Sequence, residues 1–224
     1  MPDHSQAKPV TPTGLTLLLL GATGVVGTEV LALALANPQI VRVVAPTRRP
    51  LPTHSKLDNP VVDFAKLPPD APWWSVDAVV CALGTTLKLA GSEAKFVEVD
   101  RDWPVQVARL ARLAGATRFA LNSSLGANAQ SRGLYLKTKG QAEEAIGQLN
   151  YPSYTIVRPS LIDAHRTESR PGEAMGLMLA HALRPLIPMQ YRAVRPERIA
   201  SALLQGVLTG QAGVQVIESR QLHS

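Results

Sequence analysis

The sequence is poor in aromatic residues, holds one cysteine, and has no apolar run long enough to cross a membrane. Aromatic residues make up 4% of its 224 residues. The single cysteine, Cys81, excludes an internal disulfide bond and suits a reducing compartment. A bilayer-spanning helix needs ~20 apolar residues, and the run over residues 14–20 is far shorter. We therefore expect a cytoplasmic protein that does not use the membrane.

The sequence also lacks the features of nucleic-acid and metal sites. Basic residues outnumber acidic ones by 23 to 17, but they are scattered and form no basic stripe with interleaved aromatics. The five histidines show no metal-ligand spacing. We therefore expect no nucleic-acid partner, no metal and a small-molecule substrate. A homodimer is expected only because dimers are the commonest oligomers.

Apolar runs of strand length alternate with longer segments of helical period, which predicts a doubly wound α/β Rossmann fold. The sheet should be mostly parallel, with about six to seven strands and helices on both faces. The predicted strands cover residues 15–20, 40–45, 60–64, 76–83, 117–124, 154–160 and 214–218. The predicted helices cover residues 25–36, 102–114, 134–149 and 196–208.

We predict one domain over residues 14–224, preceded by a flexible tail over residues 1–13. Three prolines interrupt that tail, and it has no signal-peptide core. After Pro159 the periodicity weakens to a loop, a short Met-rich helix and a Pro-rich crossing. Residues 160–224 are therefore expected to include a small substrate or lid region.

The stretch LLLLGATGVVG places three glycines three apart between the first strand and the first helix. Ligands of open parallel sheets bind beside such turns, and the N–H groups and dipole of the following helix attract a phosphate. A tight turn with no ligand is the structural alternative. The predicted cofactor contacts here are Gly21, Thr23, Gly24, Val25, Val26 and Gly27.

The second strand ends in Thr47-Arg48-Arg49, where an NAD-binding protein usually has an acidic residue. Guanidinium groups bind a phosphate monoester with paired donors. The sequence therefore favours NADP(H) over NAD(H), with Arg48 ahead of Arg49, although a solvated basic loop is the alternative. Asp63 is expected at the end of the third strand, either accepting from the adenine amino group or lying in a surface turn.

The fourth strand leaves through small residues that would let a cofactor ribose lie close. The contacts predicted there are Ala82, Leu83, Gly84, Thr85 and Thr86. Cys81 itself is interpreted as a small core residue because no histidine accompanies it locally. Trp73-Trp74 is either a partner surface or a packed loop.

Ser123-Ser124 closes the fifth strand, and Tyr135 and Lys139 follow four apart on one face of the next helix. A phenol has an ordinary pKa of ~10, and a nearby ammonium group stabilises its ionised form. We predict that Tyr135 is the acid/base, that Ser124 polarises a carbonyl, and that Lys139 also holds the nicotinamide ribose. Ser123 is a predicted cofactor contact. The alternative is an exposed amphipathic helix.

From Gly14 onward the chain resembles the atypical short-chain dehydrogenase/reductases, and more narrowly their Tat-interacting oxidoreductase-like subgroup. The stretches that carry the resemblance are LLLLGATGVVG, CALGTT, FVEVDRDW, NSSLGA, YLKTKGQAEE and YTIVRPSLI. The resemblance implies a Rossmann fold, NADP(H), and Ser124, Tyr135 and Lys139 as the catalytic set. It also implies that Pro159, Ser160, Leu161 and Ile162 cover the nicotinamide end.

The sequence departs from this family pattern in two places. Where many members carry an asparagine before the serine strand, it reads Glu98-Val99-Asp100. Only 65 residues follow Pro159, too few for the substrate lobe of nucleotide-sugar epimerases. Two hypotheses follow: an NADP(H)-dependent oxidoreductase acting on a small carbonyl or alcohol, or a non-catalytic NADPH sensor that acts through a protein partner.

Overall fold

The computed structural model describes residues 14–163 and 188–223, which form a seven-stranded sheet with every strand parallel. The strand order is β3-β2-β1-β4-β5-β6-β7, so the order reverses between β1 and β4. This confirms the doubly wound Rossmann-like fold. The strands are β1 (Leu15–Leu20), β2 (Ile40–Val44), β3 (Leu57–Asp58), β4 (Ala78–Cys81), β5 (Arg118–Asn122), β6 (Ser153–Arg158) and β7 (Gly213–Glu218).

Helices cover both faces of the sheet, as predicted. One face packs against α1 and α6, and the other against α4 and α5. A π-helical segment, Glu98–Asp102, joins α3 to α4. Among the described residues, no helix is long and apolar enough to cross a membrane. The helices are α1 (Val25–Ala36), α2 (Leu87–Ala90), α3 (Glu93–Val97), α4 (Trp103–Leu113), α5 (Leu134–Gly147) and α6 (Pro196–Thr209).

The continuous apolar run of β1 follows from its burial on both faces. Leu17 and Leu19 pack into the core under α1 and α6, whereas Leu18 and Leu20 pack into the core under α4 and α5. All four are at most 1% exposed. A central parallel strand needs apolar side chains on both faces, because helices cover both.

The third strand lies earlier than predicted, so the prediction of residues 60–64 was wrong. The observed β3 is Leu57–Asp58, and beyond it Val61 makes an isolated bridge to Thr47. Between them the Asn59 side chain donates to the Ala45 carbonyl (2.6 Å) and to Thr47 Oγ1 (2.8 Å). In a regular parallel ladder the Ala45 carbonyl would accept from residue 60, but Pro60 has no N–H. The Asn59 side chain donates there instead, and the edge strand breaks at this point.

Helical structure before β5 begins earlier than the predicted residue 102. Ser92 caps α3 by accepting from the Lys95 amide, and the chain stays helical through the π segment into α4. Pro104 is typical of a helix start, but here it lies inside an existing helix. The predicted Met-rich helix and most of the predicted loop after Pro159 lie outside the described residues.

We predict that Gly140→Ala destabilises the fold, because α5 lies directly against the loop that precedes it. A Cβ atom at Gly140 would lie 2.2 Å from the Ala129 nitrogen and 2.3 Å from the Asn128 carbonyl carbon. Such overpacking costs roughly 1–3 kcal/mol of unfolding free energy. A Cβ atom at Gly147, at the end of the same helix, would meet only a Tyr154 ring carbon among the described residues, at 4.0 Å. Urea unfolding should show a loss for Gly140→Ala and none for Gly147→Ala; equal stability would contradict the packing.

Candidate functional site

Two glycines of the turn after β1 are required by the fold itself. Gly21 has a φ of +87°, and a Cβ atom there would lie 2.7 Å from the Leu83 nitrogen. A Cβ atom at Gly27 would lie 1.9 Å from the Gly21 carbonyl oxygen. These positions bring the start of α1 close to the ends of β1 and β4, which the backbone can do only without side chains.

Gly24, between them, has no such structural requirement. Its backbone is extended, with φ −84° and ψ 168°, and a Cβ atom would meet only the Gly21 carbonyl oxygen, at 3.4 Å. Gly24 is the N-cap of α1, and no side chain caps that helix end. The exposed Gly24 therefore leaves open space beside the amides of Val25 and Val26, which suits a phosphate group.

A cavity of about 500 Å³ opens beside this turn at the carboxyl edge of the sheet. Its wall includes eight residues predicted as cofactor contacts: Gly21, Thr23, Gly24, Arg48, Ala82, Leu83, Gly84 and Thr85. The other lining residues are Ala22, Pro46, Thr47, Phe64, Leu89, Ala90, Lys95, Val99 and Trp103. The turn, the end of β2 and the end of β4 thus meet around one space.

The two arginines after β2 lie differently. Arg48 lines the cavity and is exposed, whereas Arg49 is exposed but does not line it. Thr47 is buried and donates its hydroxyl to the Arg49 carbonyl at 2.6 Å. Within residues 14–163 and 188–223, neither arginine forms an ion pair. Arg48 therefore brings an uncompensated positive charge to the cavity.

Asp63 does not end a strand, contrary to the prediction. Its carboxylate accepts from the Ala65 amide at 3.0 Å and caps a 3-10 turn over Phe64–Lys66. The neighbouring Phe64 ring lines the cavity and stacks on Trp103, with ring centroids 5.3 Å apart. Asp63 itself does not line the cavity.

Lys139 is buried and forms an ion pair with Asp100 of the π segment. Its Nζ atom lies 2.9 Å from Asp100 Oδ1, and both side chains are less than 10% exposed. Burial lowers the pKa of Lys139, but the Asp100 and Tyr135 charges outweigh burial, so that the pKa lies above its usual 10.5. Tyr135, one turn earlier on α5, is 46% exposed. The predicted pair thus comes with a third residue, Asp100.

Gly84 connects this ion pair to the cavity. A Cβ atom at Gly84 would lie 3.4 Å from Asp100 Oδ1 and 3.6 Å from Lys139 Nζ. The adjacent Thr85 amide donates to Asp100 Oδ2 at 2.8 Å. The wall formed by the exit from β4 is therefore also the border of the Asp100–Lys139 pair.

The two serines after β5 have different surroundings. Ser123 is buried and donates its hydroxyl to Glu143 of α5, which pairs with Arg158 of β6 at 2.6 Å. Ser124 has a weaker contact, with its hydroxyl 3.5 Å from the Leu125 carbonyl oxygen. The Ser123 hydroxyl thus belongs to a buried network, while the Ser124 hydroxyl has no comparably close partner among the described residues.

The remaining predicted contacts lie around the cavity or away from it. Thr86 caps α2 by accepting from the Leu89 amide. Pro159 accepts from the Leu125 amide, Ser160 donates to the Arg192 carbonyl, and Leu161 is exposed. Val25, Val26 and Gly27 form the first turn of α1 without lining the cavity.

Sequence reasoning missed Asp100 and the aromatic end of the cavity, but it identified Cys81 as a core residue. Burial raises the pKa of the Cys81 thiol to about 11, so the thiol stays protonated near neutral pH. Trp74 is buried and donates to the Pro68 carbonyl at 2.8 Å, and the Trp73 ring lies against it, with the centroids 4.0 Å apart and the planes tilted by 39°. The tryptophan pair is therefore a packed loop.

The comparisons with known proteins identify the family of the chain. A family model described as NAD(P)H-binding matches residues 21–174. The chain is 32% identical to Protein HTATIP2 of Rattus norvegicus, over 92% of this chain and 87% of that protein. It is 34% identical to "Protein fmp52, mitochondrial" of Emericella nidulans, over 74% of each.

A solved structure supports the fold alone. The structure "MoeE5 in complex with UDP-glucose and NAD" superimposes with a TM-score of 0.66 at 18% identity. The match covers 91% of this chain and 75% of that chain. At such low identity the similarity establishes the Rossmann-like arrangement and no more.

We predict that Gly24→Ala weakens binding of NAD(P)H about 10-fold or more, because its methyl group enters the open space beside the α1 amides. Unfolding free energy should change by less than about 1 kcal/mol, the scale of a lost N-cap preference. Gly27→Ala should instead destabilise the protein by roughly 1–3 kcal/mol. Calorimetric titration and urea unfolding of both variants test this. Unchanged affinity in a folded Gly24→Ala protein would mean that no ligand approaches Gly24.

Proposed function

This chain belongs to the NAD(P)H-binding family of atypical short-chain dehydrogenase/reductases, and we propose that it is an NADP(H)-dependent oxidoreductase. Its substrate would be a small carbonyl compound or the corresponding alcohol. The observation that carries the proposal is the continuity of one cavity wall. The wall holds Gly24 and Arg48 at one part and Gly84, beside Lys139 Nζ, at another. Ser124, Tyr135 and Lys139 do not themselves line the cavity, but a single dinucleotide in it would reach from the glycine turn to Gly84, the wall residue that borders Lys139.

The residues present fit such a cofactor. The amides at the start of α1 would hold the diphosphate, in the space that the missing Cβ of Gly24 leaves open. Phe64 and Trp103 offer apolar surface, and Arg48 offers donors for a 2′-phosphate. A preference for NADP(H) over NAD(H) rests on Arg48 and on the lack of an acidic residue at the end of β2.

The proposed chemistry uses Ser124, Tyr135 and Lys139. Bound NADP(H) supplies or accepts the hydride. Ser124 donates a hydrogen bond to the substrate carbonyl oxygen, and Tyr135 delivers the proton that turns this oxygen into a hydroxyl. Lys139, held as an ammonium, stabilises negative charge on the Tyr135 phenol and holds the ribose. In the direction of alcohol oxidation Tyr135 takes the proton back.

The location of the proposed enzyme is the cytoplasm, where the lone Cys81 thiol would stay reduced. The fungal relative named above carries "mitochondrial" in its name. Cell fractionation with antibody detection separates the two compartments. Recovery with the mitochondrial fraction would overturn this part of the proposal and leave the chemistry standing.

We predict that Arg48→Ala lowers NADPH affinity by ~10- to 100-fold, because charge-assisted hydrogen bonds to a phosphate contribute about 1.5–3 kcal/mol. NADH affinity should change less than about 3-fold, since NADH has no 2′-phosphate. Arg49→Ala is the matched control, because Arg49 does not line the cavity. Quenching of tryptophan fluorescence gives both affinities, with Trp103 in the wall as reporter. Equal losses for NADPH and NADH would contradict the role of Arg48.

We predict that Tyr135→Phe lowers kcat by ~100-fold or more, the usual contribution of a positioned proton donor. NADPH affinity should be retained, because the ring stays in place beside Phe96. Turnover is followed by NADPH absorbance over a panel of aldehydes and ketones. A variant that keeps wild-type activity would overturn the mechanism. Tight NADPH binding without turnover by the wild type would instead favour the sensor hypothesis.

A further inference from the structure

The buried carboxylate of Asp100 has two partners that belong to different parts of the molecule. One oxygen lies 2.9 Å from Lys139 Nζ on α5, and the other accepts the Thr85 amide at 2.8 Å, after β4. The π segment also carries Glu98 and Asp102, and their side chains are 33% and 49% exposed, against 1% for Asp100. Only one of the three acids in this segment therefore points into the protein.

We propose that Asp100 is a positioning residue that holds Lys139 as an ammonium and fixes it against the Gly84–Thr85 wall of the cavity. This inference rests on the proposed function, because it concerns how Lys139 is presented to cofactor and substrate. A buried ammonium without a carboxylate partner loses its proton more readily than one in water. Asp100 supplies that partner.

The segment's shape explains how the carboxylate reaches both partners. A π-helical turn widens the helix locally and turns a side chain out of the usual α-helical row, and such turns are frequent at functional sites. Here the widened turn, Glu98–Asp102, lies between α3 and α4. Asp100 thus joins the loop after β4 to α5, so that Lys139 and the cavity wall are held as one unit.

Within residues 14–163 and 188–223, three charged or titratable groups face Lys139. They are Asp100 from the π segment, Tyr135 from its own helix and Cys81 from β4. The Cys81 thiol stays protonated below pH 10, since burial raises its pKa to about 11. Asp100 is therefore the carboxylate that opposes the effect of burial on Lys139.

Asp100→Asn tests this inference while keeping an acceptor for the Thr85 amide. Without the carboxylate, burial lowers the pKa of Lys139 below the ~10.4 of an unfolded chain. The folded variant then binds fewer protons than the unfolded chain, so its stability rises with pH between about 7 and 10. In the wild type the pKa of Lys139 is raised instead. The contribution of Lys139 to wild-type stability therefore stays constant between about pH 7 and 10. It is lost only as the pH rises through the pKa of Lys139 in the folded protein.

The measurement is urea unfolding of the ligand-free full chain at pH 6, 7, 8 and 9. Asp102→Asn is the matched control, because it makes the same change two residues away at an exposed ion pair with Arg101. We expect a positive slope of stability with pH for Asp100→Asn relative to Asp102→Asn. Adding Lys139→Met should abolish that slope. Equal slopes for the two single variants would overturn the proposal.

A second measurement covers the case in which Asp100→Asn does not fold. The side-chain NMR signal of Lys139 in the wild type, assigned by its loss in Lys139→Met, should titrate above the other lysines. Titration at or below the other lysines would contradict the role of Asp100.

The NADPH affinity of Asp100→Asn is measured separately from its stability. NADPH affinity of Asp100→Asn should fall by ~10-fold between pH 6 and pH 9, as one charged hydrogen bond is lost. The affinity of Asp102→Asn should follow the wild type. If the wild type binds no NADPH, the proposed function fails. The slopes of unfolding free energy with pH then still test the Asp100–Lys139 ion pair. If the wild type binds NADPH and Asp100→Asn keeps the wild-type pH dependence, the Asp100 inference alone fails.

Discussion

The close approach of α1 to the ends of β1 and β4 is the constraint on which the rest of this site depends. It exists because Gly21 and Gly27 have no side chains where a Cβ atom would meet backbone at 2.7 Å and 1.9 Å. This approach points the first amides of α1 at the carboxyl edge of the sheet. Because all strands are parallel, the ends of β2, β4 and β5 reach the same edge. One local contact thereby assembles residues that are distant in the chain.

Gly24 is the residue that distinguishes a purely structural glycine turn from one that binds a ligand. Its backbone geometry is available to any residue, and its neighbours leave room for a side chain. The fold therefore explains two of the three glycines, and a diphosphate beside the α1 amides would explain the third. The family model that the chain matches is described as NAD(P)H-binding. The ion pair of Asp100 and Lys139 adds a second site-specific feature, because a pair buried at this depth is costly to form.

Sequence patterns predicted most of the helices and strands, because the local preferences of these segments agree with their burial in the fold. The glycine turn and Asn37-Pro38 bound α1, and the structure has that helix at Val25–Ala36 as predicted. Sequence patterns failed at β3, where Pro60 has no N–H for the Ala45 carbonyl and the Asn59 side chain donates to it instead. Sequence patterns also placed the start of the helical region before β5 too late, because Pro104 is typical of a first helical turn but here lies inside a longer helix.

Asp100 was out of reach for a different reason. Its partner Lys139 is 39 residues away, and the pairing depends on a π turn that sequence periodicity does not reveal.

The direct test of the whole account is a crystal structure of the chain with NADP⁺. The account predicts the diphosphate on the amides after Gly24, the 2′-phosphate on Arg48 and the nicotinamide ribose beside Lys139. A cofactor bound elsewhere, or one whose nicotinamide lies away from Tyr135 and Lys139, would contradict it.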